Sequence, residues 1–170
     1  MSGIKKGAHG SMVCEELHHS LHYDGLMHNL SGYNESITTS ATVEFLWDTP
    51  ATEDVSMTFN LVSSESFRLT FLENVTATAN GSTLPTFNMN RSFQGVSLAT
   101  AFYAGPTAMT GTALSTTLLI SSSGNRRAGT GSFSIDEHWT WKKGTRCGVR
   151  IENRSATVAS FAYTVHIHEG

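Results

Sequence analysis

The segment WTWKKGTRCGVRIENRS, residues 139–155, decides the fold that this sequence predicts. Apolar residues occupy every second position before its Lys-Gly pair, at Trp139 and Trp141, and again after it, where Val149 and Ile151 alternate with charged residues. A period of two is typical of strands that bury one face and expose the other. Because the Lys-Gly pair supplies a turn between the two halves, the segment predicts two strands joined as a hairpin.

The same alternation recurs along the chain from about residue 37 onwards. It occurs in four further segments, VEFLW (43–47), VSMTFNL (55–61), FRLTF (67–71) and FAYTVHI (161–167). Turn-forming residues separate the strand segments at intervals of about 8–12 residues, as in antiparallel sandwiches and jelly rolls. No stretch in this region has the period of a long amphipathic helix. We therefore predict an all-β fold over residues 37–170, an antiparallel, jelly-roll-like β-sandwich of about eight strands.

Turn residues also predict how some of these strands connect. Asn80-Gly81 is the typical sequence of a type I′ turn, whose two central residues both need a positive φ, and it predicts a tight turn. Residues 92–112 contain three glycines and a proline, so we expect a long connection with one strand in it. The segment ALSTTLLIS, 113–121, reads as a further strand.

The first 36 residues differ from the rest of the chain. They hold five of the eight histidines and lack the period of two that marks the later strands. Leu17 and Leu21 have near-helical spacing, but Gly25 interrupts that pattern. We predict an extended N-terminal arm over residues 1–36, which orders against a partner through apolar side chains that include Leu17, Leu21 and Tyr23.

The composition excludes some classes of partner. Charged residues make up 15% of the chain, against about 25% in an average globular protein, and 43 of the 170 residues are Ser or Thr. A net charge of −3 gives no electrostatic reason to expect binding to nucleic acid or to a membrane surface. The apolar runs are far shorter than a bilayer span. We therefore expect neither nucleic acid nor a membrane among the partners.

Three histidines offer the strongest candidates for chemistry. His166 and His168 lie on one face of the last predicted strand, about 7 Å apart, which is near enough to share a metal ion. Asp136 and His138 have the same spacing and could form an acid–base pair. One interpretation is a cupin-like metal enzyme that uses all three histidines. We favour the alternative, a polar outer strand face with no catalytic residue, no metal and no other cofactor.

The chain has two cysteines, Cys14 and Cys147. Cys14 lies in the predicted arm, whereas Cys147 occupies a strand position, so we expect two free thiols and no disulfide. Their spacing to the histidines is not that of a zinc site.

At the segment that opens this section, the chain resembles a group of tailed-phage virion proteins. Proteins of that group carry a Lys-Pro-x-Thr-Lys-Tyr turn and a Leu-Ile-Arg-Leu-Thr-Asn-Arg strand, and here Lys143-Gly144-Thr145-Arg146 and Val149–Arg154 take their places. These proteins also share a sequence stretch upstream of the turn, and the present chain matches parts of it. The matching residues are Glu73, Asn80-Gly81, Leu84, Phe87-Asn88, Asn90 and Arg91. The resemblance covers roughly residues 20–170, with Gly144 in place of the usual proline and Cys147 in place of tyrosine.

This resemblance implies a β-sandwich protein of the virion and no enzymatic activity. The role that it implies is capsid decoration, that is, a cement protein assembled in the host cytoplasm onto the exterior of the phage head. The implied partners are the major capsid protein and further copies of the chain, as a homotrimer. We expect residues of the arm, of a Gly/Ser-rich loop and of the 139–154 region to contact the capsid or neighbouring copies of the chain. These residues are Leu17, Leu21, Tyr23, Arg126, Arg127, Trp139, Arg150 and Arg154.

One rival interpretation is a phage tail or fibre module that binds a host glycan. Such a module needs exposed aromatic side chains, for which Phe102, Tyr103 and the loop 121–132 are the candidates. Trp139 and Trp141 could also stack on a sugar ring, but they share one predicted strand face with Phe133 and Ile135, which favours a place in the core or in a subunit interface.

Overall fold

The structure, a computed structural model, describes residues 4–6, 12–14, 25–92, 97–119 and 133–169. Thirteen β-strands occur in these residues, and no helix among them is long and apolar enough to cross a membrane. The strands are β1 (Ile4–Lys6), β2 (Met12–Cys14), β3 (Met27–Ile37), β4 (Thr42–Asp48), β5 (Val55–Ser63), β6 (Phe67–Thr76), β7 (Ser82–Leu84), β8 (Phe87–Asn88), β9 (Ala101–Ala104), β10 (Thr110–Leu119), β11 (Phe133–Trp141), β12 (Arg146–Asn153) and β13 (Ala159–Glu169).

The strands form two sheets that pack face to face. One sheet has six strands in the order β10-β6-β12-β4-β9-β7, and the other has five in the order β11-β5-β13-β3-β8. Within both sheets every paired strand is antiparallel to its neighbour. β1 and β2 pair only with each other, as a two-stranded ribbon. The prediction of an all-β antiparallel sandwich is confirmed.

Aromatic side chains from the two sheets meet edge to face in the core. Trp47 packs against Trp141 with ring centroids 5.1 Å apart and planes at 76°. Two further pairs join the sheets in the same way, Phe59 with Phe71 at 5.8 Å and Phe67 with Phe161 at 5.4 Å. Such pairs add about 0.5–1.5 kcal/mol each to the stability gained from burying their surface.

The long strands alternate between the sheets along the chain. Of β3, β4, β5, β6, β10, β11, β12 and β13, only the successive strands β6 and β10 lie in the same sheet, where they are neighbours. The first and last long strands, β3 and β13, pair side by side. This connectivity is compatible with the jelly-roll part of the prediction, since a jelly roll also arranges eight strands in two sheets.

The prediction of a hairpin at residues 139–155 is wrong. β11 pairs with β5 in the five-stranded sheet, whereas β12 pairs with β4 and β6 in the six-stranded sheet. The segment is therefore an arch that crosses the sandwich. Thr49 stabilises the turn of this arch. The Thr49 Oγ1 lies 2.9 Å from the carbonyl oxygens of Lys142 and Thr145 and accepts the Thr145 N–H at 2.8 Å. Alternation alone does not distinguish an arch from a hairpin, because both bury one face of each strand.

The boundary predicted for the arm is also wrong. Residues 27–37 form β3, which pairs with β13 along its whole length, so the sandwich begins at Met27 and not at residue 37. Alternation is hidden in β3 because two of its inward positions hold Gly32 and Asn34. The ring of Tyr163 takes the space over Gly32, where a Cβ would lie 2.6 Å from the Tyr163 hydroxyl oxygen. Leu17, Leu21 and Tyr23 lie outside the described residues.

The turn predicted at Asn80-Gly81 has a different geometry. Gly81 has a φ of +89°, but Asn80 is not among the residues with positive φ, so this is not a type I′ turn. β7 follows directly and pairs with β9 instead of returning along β6. A Cβ at position 81 would lie 2.1 Å from the carbonyl oxygen of Ala104, so this close approach requires glycine. The strand predicted over 113–121 is confirmed for residues 113–119, which belong to β10, whereas residues 120 and 121 lie outside the described residues. The long connection before it contains β9.

Asn153 holds together the end of the sandwich where β3, β4 and β12 meet. Its side chain is fully buried. The Nδ2 group donates to the carbonyl oxygens of Ile37 at 2.8 Å and Thr157 at 2.9 Å, and Oδ1 accepts the Ser155 N–H at 2.9 Å. The Asn153 backbone N–H donates to the carbonyl oxygen of Ala41 at 3.0 Å. The amide group is thus paired at both ends, as burial of a polar group requires.

Replacement of Asn153 by alanine is expected to lower the free energy of unfolding by about 1–3 kcal/mol, because it leaves buried carbonyl groups without a donor. The measurement is the urea unfolding midpoint of Asn153→Ala. Asn60→Ala is the matched control, since Asn60 lies on an outer face of the sandwich, and its effect should stay within about 0.5 kcal/mol. Equal midpoints for the two variants would contradict this role.

Candidate interaction surfaces

The outer face of the six-stranded sheet carries charged residues that are paired across strands. Arg146 on β12 binds Asp48 on β4 through two hydrogen bonds, of 2.6 and 2.9 Å. Arg150, four residues further along β12, binds Glu44 with an N–O distance of 2.6 Å. The Asp48 carboxylate raises the pKa of Arg146 by accepting these hydrogen bonds. Both arginines are therefore held by residues of the same chain.

Glu152 forms the centre of a second charged group on this face. It binds Arg68 on β6 at 2.6 Å and Arg154 beyond the end of β12 at 2.7 Å. Hydrogen bonding to Arg154, and then to Arg68, lowers the pKa of the Glu152 carboxyl. The carboxylate thus bridges two arginines and reduces their net charge.

A small apolar cluster covers another part of this face. Leu46, Leu72, Val75 and Met109 are all buried in it, although they point away from the main core. Gly148 leaves room for the Met109 side chain, whose sulfur would lie 3.0 Å from a Cβ at that position. This face of the sandwich is therefore largely covered by the chain itself.

The outer face of the five-stranded sheet has a different character. Its strands present mostly Ser, Thr, Asn and His at the positions that alternate with the core. These outward residues are Asn29, Ser31, Tyr33 and Glu35 on β3; Ser160, Ala162, Thr164, His166 and His168 on β13; Ser56, Thr58, Asn60 and Val62 on β5; and His138 and Thr140 on β11. Glu35 is the single carboxylate among these side chains, and Asp136 is in register with Asn60 at the β11 edge.

Two large aromatic side chains stand out from this face. Tyr33 is 74% exposed and Phe87 is 54% exposed. Phe87 on β8 is paired with Asn29 on β3, so it lies on the same side of the sheet as Tyr33. We call the outward residues of the five-stranded sheet, together with Phe87, the polar face. The sequence does not reveal this face, because β3 falls mostly within the residues expected to form the arm.

The structure separates the predicted contact residues into three groups. Arg150 and Arg154 lie on the six-stranded sheet and bind acidic residues of this chain. Trp139 is partly buried at the edge of the core, where it stacks on Trp141 at 5.4 Å. Leu17, Leu21, Tyr23, Arg126 and Arg127 lie outside the described residues. A role of any of these eight residues in contacts stays a prediction.

The histidines considered as metal ligands lie on the polar face and do not converge. His138 and His166 are both in register with Thr58, on opposite sides of it, so two strand spacings of about 4.8 Å separate them. His138 instead makes a 3.1 Å hydrogen bond with Thr58. In the described part of the chain no group of three or more His, Cys, Asp or Glu residues is arranged to hold a metal ion. The core between the sheets contains an apolar cavity of about 20 Å³, lined by side chains such as Phe45, Phe59 and Trp141.

The aromatic residues suggested as a glycan site are not exposed. Phe102 is 4% exposed and belongs to the main core, and Tyr103 is partly buried against the Met109 cluster. The suggestion that these two residues stack on a sugar is therefore wrong. The loop 121–132 lies outside the described residues.

Comparisons with known proteins do not assign the chain to a family. No protein-family model matches the sequence, and no curated protein matches it. The resemblance to virion proteins of tailed phages therefore rests on the quoted residues alone.

Cys147 is a fully buried free thiol in the core. Burial, followed by the nearby carboxylates of Glu73 and Asp48, raises its pKa to about 12. The thiolate is the reactive form of cysteine, so this thiol should be inert near neutral pH.

In a Cys14→Ser variant, Cys147 is the single thiol. We expect no reaction with a disulfide reagent at pH 8 while the protein is folded. Full reaction should follow unfolding in urea, because the pKa of the thiol then returns to about 8.5. A stoichiometric reaction of the folded variant would contradict the position of Cys147 in the core.

Proposed function

We propose that this chain is a structural protein of the virion, a decoration or cement protein that binds the outer surface of a tailed-phage head and stabilises it. The observation that carries the proposal is the polar face. It is broad, nearly free of charge and marked by two exposed aromatic side chains, Tyr33 and Phe87.

The contrast between the two outer faces supports a contact role for the polar face. The centres of protein–protein interfaces are depleted in charged residues and enriched in aromatic ones. The polar face fits this description, whereas the six-stranded sheet carries Arg146, Arg150 and Glu152 in ion pairs that a partner would have to break or cover. Desolvating such pairs on binding is costly. The polar face is therefore the better docking surface.

The identity of the partner comes from the resemblance to phage virion proteins. The major capsid protein is the proposed partner, with three copies of this chain around a three-fold or quasi-three-fold position of the shell. Binding only to the assembled shell would stabilise it by mass action, since dissociated subunits would lose the contact. The N-terminal segment would extend onto neighbouring subunits.

A host-glycan-binding module of the tail or fibre is the second candidate. The exposed rings of Tyr33 and Phe87 favour it, because aromatic rings stack on sugars. Phe87 faces Asn29, and Tyr33 lies four residues further along β3, so about 13 Å separates the two positions. A glycan array distinguishes the candidates, since a decoration protein should bind none of its sugars.

A lysine in the middle of the polar face should weaken binding to heads. Thr164→Lys would bury an unpaired charge in the interface, and we expect about tenfold weaker binding, or more, to heads assembled without this protein. The measurement is co-sedimentation over a range of protein concentrations. Thr42→Lys is the matched control, because Thr42 is exposed on the six-stranded sheet, and it should bind like the unaltered chain. Loss of binding by Thr42→Lys alone would overturn the choice of face.

Removal of residues 1–24 tests the N-terminal segment separately. This truncation leaves β3 intact, unlike a cut at residue 36, so the sandwich should unfold at the same urea concentration as the full chain. Binding to heads should weaken, because the contacts of the segment are lost. Equal retention of the truncated and full-length proteins on heads would refute a role for the segment.

A further inference from the structure

The sandwich has four sheet edges, and three of them have features that prevent pairing with another chain. β7 and β8 are edge strands of three and two residues, too short to form a template. β11 carries Glu137 at an inward position opposite Phe59. Where β3 extends beyond β8, it carries Glu35 and a bulge at Ser36, whose φ is +60°. Short edges, inward charges and bulges are the devices by which proteins block edge-to-edge association.

The second half of β10 has none of these features. Its pairing with β6 is irregular only between Thr110 and Ser115, and it is regular from there to Leu119. No residue of β10 is charged. Leu114 and Leu118 are 41% and 52% exposed, two of the five large hydrophobic side chains exposed in the described residues. Leu114 lies at the irregularity before Ser115, whereas Leu118 lies in the regular stretch. An uncharged edge with exposed leucines is a template for another strand.

The surroundings of this edge also favour approach of a second strand. Thr116 pairs with Thr70, and their hydroxyl groups lie 3.4 Å apart. Leu118 pairs with Arg68, whose guanidinium is bound by Glu152 at 2.6 Å. A strand laid along β10 therefore meets hydroxyl and methyl groups, and the nearest cation is already paired.

We propose that β10 pairs with β10 of a second copy of this chain, antiparallel around a two-fold axis at Thr116. In this register Thr116 faces the same residue of the second copy, and Leu114 of each copy faces Leu118 of the other. Both exposed leucines would thus be covered by one contact. The two six-stranded sheets would join into one continuous sheet.

A second copy fits this edge because the strand is complementary to itself. A two-fold contact places the residue on the axis opposite its own copy, so a charge at that position would meet a like charge. β10 has no such charge, and its leucines are placed symmetrically about Thr116. The contact is independent of three-fold packing. By itself, this contact gives dimers. If a three-fold contact is also present, it joins trimers in pairs.

Cross-linking by cysteine tests the register. Thr116→Cys is made in the Cys14→Ser background, where the remaining thiol, Cys147, is buried. Directly opposed residues of antiparallel strands have Cα atoms about 4.5–5.5 Å apart, within the range of a disulfide. We expect covalent dimers under mild oxidation. Leu118→Cys in the same background is the matched control and should form no covalent dimer, because it faces Leu114 of the second copy, but it should cross-link when mixed with Leu114→Cys.

The mass in solution supplies a second readout. Thr116→Lys places like charges opposite each other, so the average mass measured by light scattering should fall by half relative to the unaltered chain. Thr42→Lys, on β4, should leave this mass unchanged, because β6 and β12 separate β4 from β10 and Thr42 lies outside the polar face. Cross-linking of Leu118→Cys alone to the same extent as Thr116→Cys, or an unchanged mass for Thr116→Lys, would overturn the proposal.

Discussion

The edge-to-face contacts between the two sheets are the interaction on which the rest of the structure depends. Trp47 and Trp141 meet across the gap between the sheets, as do two phenylalanine pairs. Successive long strands, apart from β6 and β10, contribute to opposite sheets, so neither sheet can be completed without the other. Burial of these rings therefore fixes the position of each strand, and with it the residues that face outward.

Much of this arrangement could be predicted from alternation, and the failures have physical causes. β5 was predictable because every second residue is buried without exception. The strands that pair with β5 could not be predicted, because the alternation of buried residues is the same whether strands are joined by an arch or by a hairpin. β3 was missed because the Tyr163 ring, and not a side chain of β3, fills the space beside Gly32.

The two outer faces show which part of the candidate site could be predicted. The basic residues of β12 suggested a contact surface, but cross-strand carboxylates bind Arg146 and Arg150, and Asp48 and Glu44 are distant in sequence. The polar face draws its residues from five strands that are scattered along the chain, so its lack of charge is visible only once their register is known. Asn153 belongs to the segment Val149–Arg154, on which the resemblance to phage proteins partly rests. Its buried side chain has a structural role, since it donates hydrogen bonds to the carbonyl oxygens of Ile37 and Thr157.

A map of the virion tests the central claim, that the polar face is the docking surface, most directly. We predict density for this chain on the head, with Tyr33 and Phe87 turned toward the shell and the ion pairs of β12 turned toward solvent. Density that places the chain on the tail, or that seats Arg146 and Arg150 against the capsid, would contradict it.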